Sequence, residues 1–259
     1  MSLVIVGARG RMGHALQEAA LSAGQTIVGL VDREEGASDV SGVSVPVVTD
    51  WHPVLKDGHT VIDFSAPAVT VAIAQAAASH RCPLVIGTTG IDAQGREAIQ
   101  AASKVVPVVF APNYSIGVSV LLEITERVAK VLNAQSYDAE IVEAHHHFKK
   151  DAPSGTALGR AQAVARGRAV DLETVACYGR EGMVGARPQG EIGIHAVRGG
   201  DVVGDHVVSF YGEGERVELR HQATSRRTFA EGAVRAAGWL SGKAPGLYTM
   251  RHVLGFDPV

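Results

Sequence analysis

Residues 1–114 alternate short β-branched runs with amphipathic helical stretches, and the first junction between the two is Gly7-Ala8-Arg9-Gly10-Arg11-Met12-Gly13. That pattern confines the chain to βαβ units around a parallel sheet, because strands separated by helices pair in the same direction. Strands are predicted at 3–6, 26–31, 60–64, 84–86 and 105–110. Helices are predicted at 12–23, ended by Gly24, at 68–79, and at 92–103 with Asp92 as N-cap.

From Ser115 the texture changes. A long amphipathic helix is predicted over 117–132, where Val118, Leu121, Leu122, Ile124, Thr125 and Val128 form one stripe. A strand at 137–144 and a helix at 154–166 follow, then β segments at 174–178, 192–198, 202–211 and 216–223. Gly199-Gly200-Asp201 and Gly212-Glu213-Gly214 are turn signals between these segments, so the region reads as a second domain with a mostly antiparallel sheet. A last helix at 228–240 leads into a tail carrying glycine and proline.

The chain has 259 residues, 46% hydrophobic and 20% charged, enough to bury a large core. Its net charge of -3 argues against a nucleic-acid binder, which carries a basic excess. Cys82 and Cys177 show no paired spacing, as expected in a reducing compartment. The start, with its LVIVG run, lacks the features of a signal peptide, and the longest apolar stretch, 66–78, is interrupted by Pro67 and Gln75 and too short to span a bilayer. A cytoplasmic protein without a membrane partner is expected.

The glycine loop joins the first strand to the first helix. Glycines there allow a tight turn and close backbone approach to a pyrophosphate, whose charge meets the N–H groups of the helix start. The spacing is GxxGxxG rather than GxGxxG, so the motif depends on its context. That context is Asp32, at the end of the second strand and 19 residues after Gly13, placed to accept hydrogen bonds from an adenosine ribose. Arg33 follows and can meet a 2'-phosphate, so a site accepting both NADH and NADPH is expected. Gly87-Thr88-Thr89-Gly90 and Ala111-Pro112-Asn113-Tyr114-Ser115 lie at the carboxyl ends of two further parallel strands, where small and hydroxyl-bearing residues suit a nicotinamide ring.

Residues 143–157, EAHHHFKKDAPSGTA, concentrate the remaining chemistry. Imidazoles titrating near neutrality beside two ammonium groups make a proton-transfer and anion-binding cluster. A metal is not expected, because His145, His146 and His147 are consecutive and alternate faces on a strand, and no HExxH or CxxC accompanies them. Pro153-Ser154-Gly155-Thr156 reads as a helix start, whose free N–H groups and positive dipole end favour a carboxylate.

With GARGRMG, FSAP at 64–67, IGTTG at 86–90, APNYSIGV at 111–118 and RGGDVVGDH at 198–206, this stretch resembles the dihydrodipicolinate reductase family over nearly the whole chain. The resemblance implies a Rossmann-like dinucleotide domain of residues 1–114 and 226–259, and an inserted α+β substrate-binding and oligomerisation domain of residues 115–225. It further implies a homotetramer and NAD(P)H-dependent reduction of a cyclic dicarboxylate in lysine and diaminopimelate biosynthesis. Carried over by motif, His145 is a proton donor and acceptor, Lys149 a second proton donor and His146 a substrate contact, while Ser154, Gly155 and Thr156 bind a carboxylate. The chain departs from the family pattern at Asp32, often glutamate there, at Phe148, where polar or basic residues are common, and at His252, commonly an acid. Two other readings remain open at this point: another NAD(P)-dependent dehydrogenase of a small anion, and a protein that senses NAD(H) without turnover. An acylating semialdehyde dehydrogenase would need a nucleophilic cysteine, which neither Cys82 nor Cys177 suggests.

Overall fold

The structure is a computed structural model and describes residues 1–257. It divides into two units, Met1–Ile116 together with the segment from Arg226, and Gly117–Ser225. In chain order the elements of the first stretch are β1 (Ser2–Val6), α1 (Arg11–Ser22), β2 (Thr26–Val31), β3 (Val47–Val48), β4 (His59–Asp63), α2 (Pro67–Ser79), β5 (Leu84–Ile86), α3 (Ala93–Ser103) and β6 (Pro107–Phe110). Then come α4 (Ile116–Val131), β7 (Asp138–His145), α5 (Gly155–Gly167), α6 (Leu172–Val175), β8 (Ala176–Tyr178), β9 (Ile192–Arg198), β10 (Gly204–Gly212) and β11 (Glu215–Ala223). The chain closes with α7 (Arg227–Trp239), β12 (Gly246–Tyr248) and α8 (Met250–Val253).

In the first unit seven strands form a parallel sheet in the order β12-β6-β5-β4-β1-β2-β3. Both faces are covered, which explains the continuous apolar runs in its strands. Successive β1 side chains alternate between two cores. Leu3 and Ile5 pack with Leu16 and Ala20 of α1 and Ala233 and Ala237 of α7, whereas Val4 and Val6 pack with Ile73 and Ala77 of α2 and Ile99 of α3. Helix starts follow local chemistry: Pro67 occupies the first turn of α2, and the Asp92 carboxylate accepts the Gly95 N–H at 2.8 Å to cap α3.

The second sheet runs β11-β10-β7-β9-β8. The long β10 pairs antiparallel with β11 and β7, while β9 pairs parallel with β7 and β8. One face of this sheet buries Ala139, Ile141, Ile192, Ile194, Val208 and Phe210 against Ala157, Ala161 and Val164 of α5. On the other face Val142, Val197 and Tyr211 remain exposed.

Some sequence expectations are corrected. Residues 174–178 divide: Asp171 accepts the Glu173 N–H and caps the one-turn α6, leaving only Ala176–Tyr178 as strand. The strand expected from 105 starts at Pro107, and that expected from 202 starts at Gly204. The two-residue β3 was not expected, and the tail contains β12 and α8, elements too short to show a period. His252 acts in the last of these. Its Nδ1 accepts the Thr249 N–H at 3.1 Å, completing a capping box in which imidazole does the work usually done by Glu or Gln.

Helix α7 approaches the segment after β6 so closely that a Cβ on Gly232 would lie 1.8 Å from the Tyr114 carbonyl oxygen. Tyr114 cannot yield, since its hydroxyl donates to Ile86 O at 2.8 Å and Val109 O at 3.0 Å. Gly232→Ala is expected to cost about 2 kcal/mol or more through overpacking, lowering the midpoint of thermal unfolding. An unchanged midpoint would contradict this packing.

Candidate active site

The glycine loop is held by β2. The N–H groups of Gly7 and Ala8 donate to Val31 O at 2.9 and 3.1 Å, and Gly7 takes φ +81°, a conformation open to glycine at little cost. A Cβ on Gly13 would sit 2.2 Å from Gly7 O, so α1 can start this close to the loop only with glycine there. Asp32 is fixed from both sides: Oδ2 accepts the Arg9 N–H and Oδ1 the Arg33 N–H, each at 2.7 Å. Beside the loop lies a cavity of about 490 Å³ whose walls include Gly7, Gly10, Asp32, Arg33, Thr49, Trp51 and Phe64. Thr49 and Trp51 lie outside every sequence motif and were missed.

The other cofactor candidates are distributed less simply. The Arg9 guanidinium is folded onto the following loop, donating to Glu34 O at 3.0 Å and Glu35 O at 3.1 Å, so its side chain as well as its amide shapes the loop. Ala8 and Ala111 are buried, Met12 packs on the core, and Arg11, Thr89 and Pro112 are exposed. Gly87 lies under the Phe64 ring, where a Cβ would meet ring atoms at 2.2 Å. The Thr88 hydroxyl donates at 3.4 Å to buried Asp63, which also accepts from Ser65 and Thr70. Burial raises the Asp63 carboxyl above its ordinary value, with these hydrogen bonds opposing. The Asn113 Oδ1 accepts the Ser115 N–H at 2.8 Å, and Tyr114 is a buried pin whose hydroxyl is already committed. Of the candidate cofactor residues Gly7, Arg9, Gly10, Asp32 and Arg33 meet at the cavity; the loops at 87–89 and 111–114 do not line it.

In the second unit β7 delivers the histidine motif. Strand alternation places Glu143 and His145 on the inner face of the sheet, and the register sets His145 beside Arg198 of β9 and Glu143 beside His206 of β10. Glu143 is fully buried. Its Oε2 accepts from His145 Nδ1 at 2.6 Å and Arg198 Nη1 at 2.8 Å, and its Oε1 from Arg198 Nη2 and the Ser154 N–H, both at 2.9 Å. Burial pushes the carboxyl up, but bonds from Arg198, His145 and Ser154 more than reverse this, leaving it below the ordinary carboxylate range. With Nδ1–H committed to Glu143, Nε2 is the ring nitrogen that His145 leaves for another partner.

The motif's backbone is clamped to the β9–β10 turn. His146 N–H donates to Val202 O at 2.7 Å, His147 N–H to Gly200 O at 3.3 Å, and Gly199 N–H to His145 O at 2.9 Å. Lys149 Nζ pairs with Asp151 at 2.9 Å. Ser154 caps α5, its Oγ accepting the Ala157 N–H at 3.2 Å and lying 3.1 Å from His206 Nε2. Its hydroxyl is therefore buried and occupied, whereas Gly155 is exposed, with nothing within 4 Å of where a Cβ would stand. The α5 start thus presents N–H groups with room above them. Sequence reasoning missed Glu143, Arg198 and His206 as site residues. Period-2 spacing of Glu143 to His145 was the signal available for the first.

Stability contributed by a depressed carboxylate is present above its unfolded pKa and lost as pH falls through the folded value. Glu143→Gln is expected to lower stability at pH 7 by about 3 kcal/mol, since it strands the Arg198 charge. The gap to the parent should begin to close as pH falls through the ordinary carboxylate range and vanish only below the depressed folded value of Glu143, where the parent carboxylate protonates. Chemical denaturation across pH checks this; a gap that persists into acid would contradict the charge-based account.

Two family models match the chain: the dihydrodipicolinate reductase N-terminus over residues 1–114 and the dihydrodipicolinate reductase C-terminus over residues 117–254. A 4-hydroxy-tetrahydrodipicolinate reductase of Thiobacillus denitrificans is 50% identical, with 98% of each chain covered. That of Magnetococcus marinus is 48% identical, with 97% of each covered. Among solved structures, a dipicolinate-bound dihydrodipicolinate reductase from Paenisporosarcina sp. TG-14 superposes with a TM-score of 0.74 at 25% identity, covering 96% of this chain and 97% of that one. With half its residues shared over essentially full length, and both halves matched by the family models, the chain belongs to the dihydrodipicolinate reductase family.

Proposed function

We propose that the protein reduces the ring of 4-hydroxy-tetrahydrodipicolinate, or of the dihydrodipicolinate formed from it by loss of water, to tetrahydrodipicolinate, using NADH or NADPH. The step belongs to diaminopimelate and lysine biosynthesis. The observation that carries this reading is the pairing of His145, oriented by a buried carboxylate, with a helix start open at Gly155 in one short segment. A proton donor beside an anion cradle is what a dicarboxylate ring needs when a hydride is added to it.

The cofactor fits the first unit. The positive φ of Gly7 and the missing Cβ of Gly13 leave backbone where a pyrophosphate approaches, and Asp32 is held rigidly at the cavity wall for ribose hydroxyls. Arg33, also on that wall, supports acceptance of a 2'-phosphate. When bound, the cofactor supplies the hydride; the remaining work belongs to the chain's own residues. His145 gives up or takes a proton at Nε2. Lys149, held by Asp151, is the second donor, and His146 contacts the ring. Gly155 and Thr156 hold a carboxylate at the α5 start, with Ser154 fixing that start through its cap rather than by direct contact.

A rival acylating mechanism is disfavoured. Burial, reinforced by nearby Asp57, pushes the Cys82 thiol up to about 11, and an un-ionised buried thiol is a poor nucleophile. We further propose a cytoplasmic homotetramer. The exposed Val142, Val197 and Tyr211 on the outer sheet face support assembly through the second unit, and the free cysteines accord with a reducing compartment. Among the described residues no helix is long and apolar enough to cross a membrane.

Purified protein is expected to oxidise NADH or NADPH when given the condensation product of aspartate semialdehyde and pyruvate. Absence of oxidation of either in folded protein would overturn the reading. Replacing His145 or Lys149 with Gln should lower kcat about 100-fold or more, while Thr156→Ala should act mainly on KM. Small, equal effects from all three in steady-state kinetics would contradict the assigned roles.

A further inference from the structure

Arg160 is unused by the mechanism above, and its surroundings are anomalous. It lies on the buried side of α5 with no solvent exposure, and its Nε, Nη1 and Nη2 all lack a hydrogen-bond partner among the described residues. A buried guanidinium without a partner is strongly unfavourable, so a counter-charge is expected to reach it electrostatically in the working protein. Burial pulls Arg160 down to about 10, which leaves it charged at neutral pH.

The neighbouring groups do not supply that counter-charge. On β10 and β11 the facing residues are His206 and His221, paired across the strands. Burial first, and then the Arg160 charge, pushes His206 down to about 3, and the same two causes lower His221. Neither imidazole carries a negative charge in any state near neutrality. Glu143, the nearby carboxylate, already accepts from Arg198 and His145.

The position of Arg160 indicates which site its charge serves. It follows Thr156 by four residues and so shares its helical face, and long helical side chains fold back over the preceding turn toward the N-terminus. Its neighbour His206 lies 3.1 Å from the Ser154 hydroxyl that caps this turn. We infer that Arg160 is a positioning residue for the substrate, a fixed charge beneath the first turn of α5 whose counter-ion is the carboxylate bound at Gly155 and Thr156. The inference deepens the reductase reading and rests on it. The guanidinium does not touch the ligand. It adds to the positive helix end through a medium of low dielectric, where a charge acts over several ångströms.

The test uses Arg160→Met, Arg160→Gln and Arg160→Lys in the full-length protein, with dipicolinate as a planar dianionic probe. Calorimetry should show dipicolinate binding weakened about tenfold in R160M and R160Q, a charge effect of ordinary size. KM for the substrate should rise in parallel, with kcat and the cofactor KM changing far less, and R160K should recover most of the affinity. The unliganded melting temperature of R160M should hold or rise, because an unpaired buried charge is gone. Unchanged dipicolinate affinity in whichever neutral variant folds would overturn the inference, as would equal losses in the neutral variants and R160K. A parent enzyme that neither binds dipicolinate nor oxidises the cofactor with substrate would overturn the reductase reading and this inference together. An active parent with unaffected neutral variants would overturn this inference alone.

Discussion

The site of the second unit depends on one buried carboxylate. Glu143 receives four hydrogen bonds from three directions: the guanidinium of Arg198 on β9, the ring of His145 on its own strand, and the amide of Ser154 at the head of α5. Burying a carboxylate is costly, and here the cost is offset by four hydrogen bonds, two of them from a guanidinium. The arrangement couples positions. Moving the α5 start would remove an acceptor from the Ser154 amide, and rotating His145 would take one of the two donors from Glu143 Oε2. The proposed proton donor, His145, and the proposed anion cradle at the α5 start are therefore fixed against each other by the same two oxygens.

The first unit works under a different constraint, close approach of backbone. Gly7, Gly13 and Gly232 each stand where a Cβ would come within 2.8 Å of a carbonyl oxygen. The loop can thus lie flat against β2 and α1 while Asp32 braces it through the Arg9 amide. Polar side chains in that loop serve mainly its own shape. The Arg9 guanidinium, bound to the carbonyls of Glu34 and Glu35, is one example, and buried Tyr114 does the same for the segment after β6.

Much of this was legible in the sequence because its signals are periodic or conformational. The long strands and helices follow from apolar alternation, and the glycine loop with Asp32 from the demands of a strand-to-helix turn. What could not be read depends on register between distant segments. Arg198 lies 55 residues from Glu143, and only the β7–β9 pairing brings them together. Trp51 reaches the cavity wall from a loop without a motif, and β3 and β12 are too short to carry a period. The cap at Ser154 was not told apart from a ligand group, because capping and binding residues are of the same types. His252, without an account in the sequence, is explained by the capping box at Thr249.

The central claim, that Glu143 fixes His145 in one tautomer with Nε2 left for proton transfer, is open to direct measurement. Nitrogen-15 NMR of the His145 ring at a pH where it is neutral distinguishes the two nitrogens by chemical shift. The account expects the proton on Nδ1, toward Glu143, and an unprotonated Nε2 in the native protein, with this preference weakened in Glu143→Gln. A neutral ring protonated at Nε2 in the native protein, or a tautomer unchanged by the substitution, would contradict it.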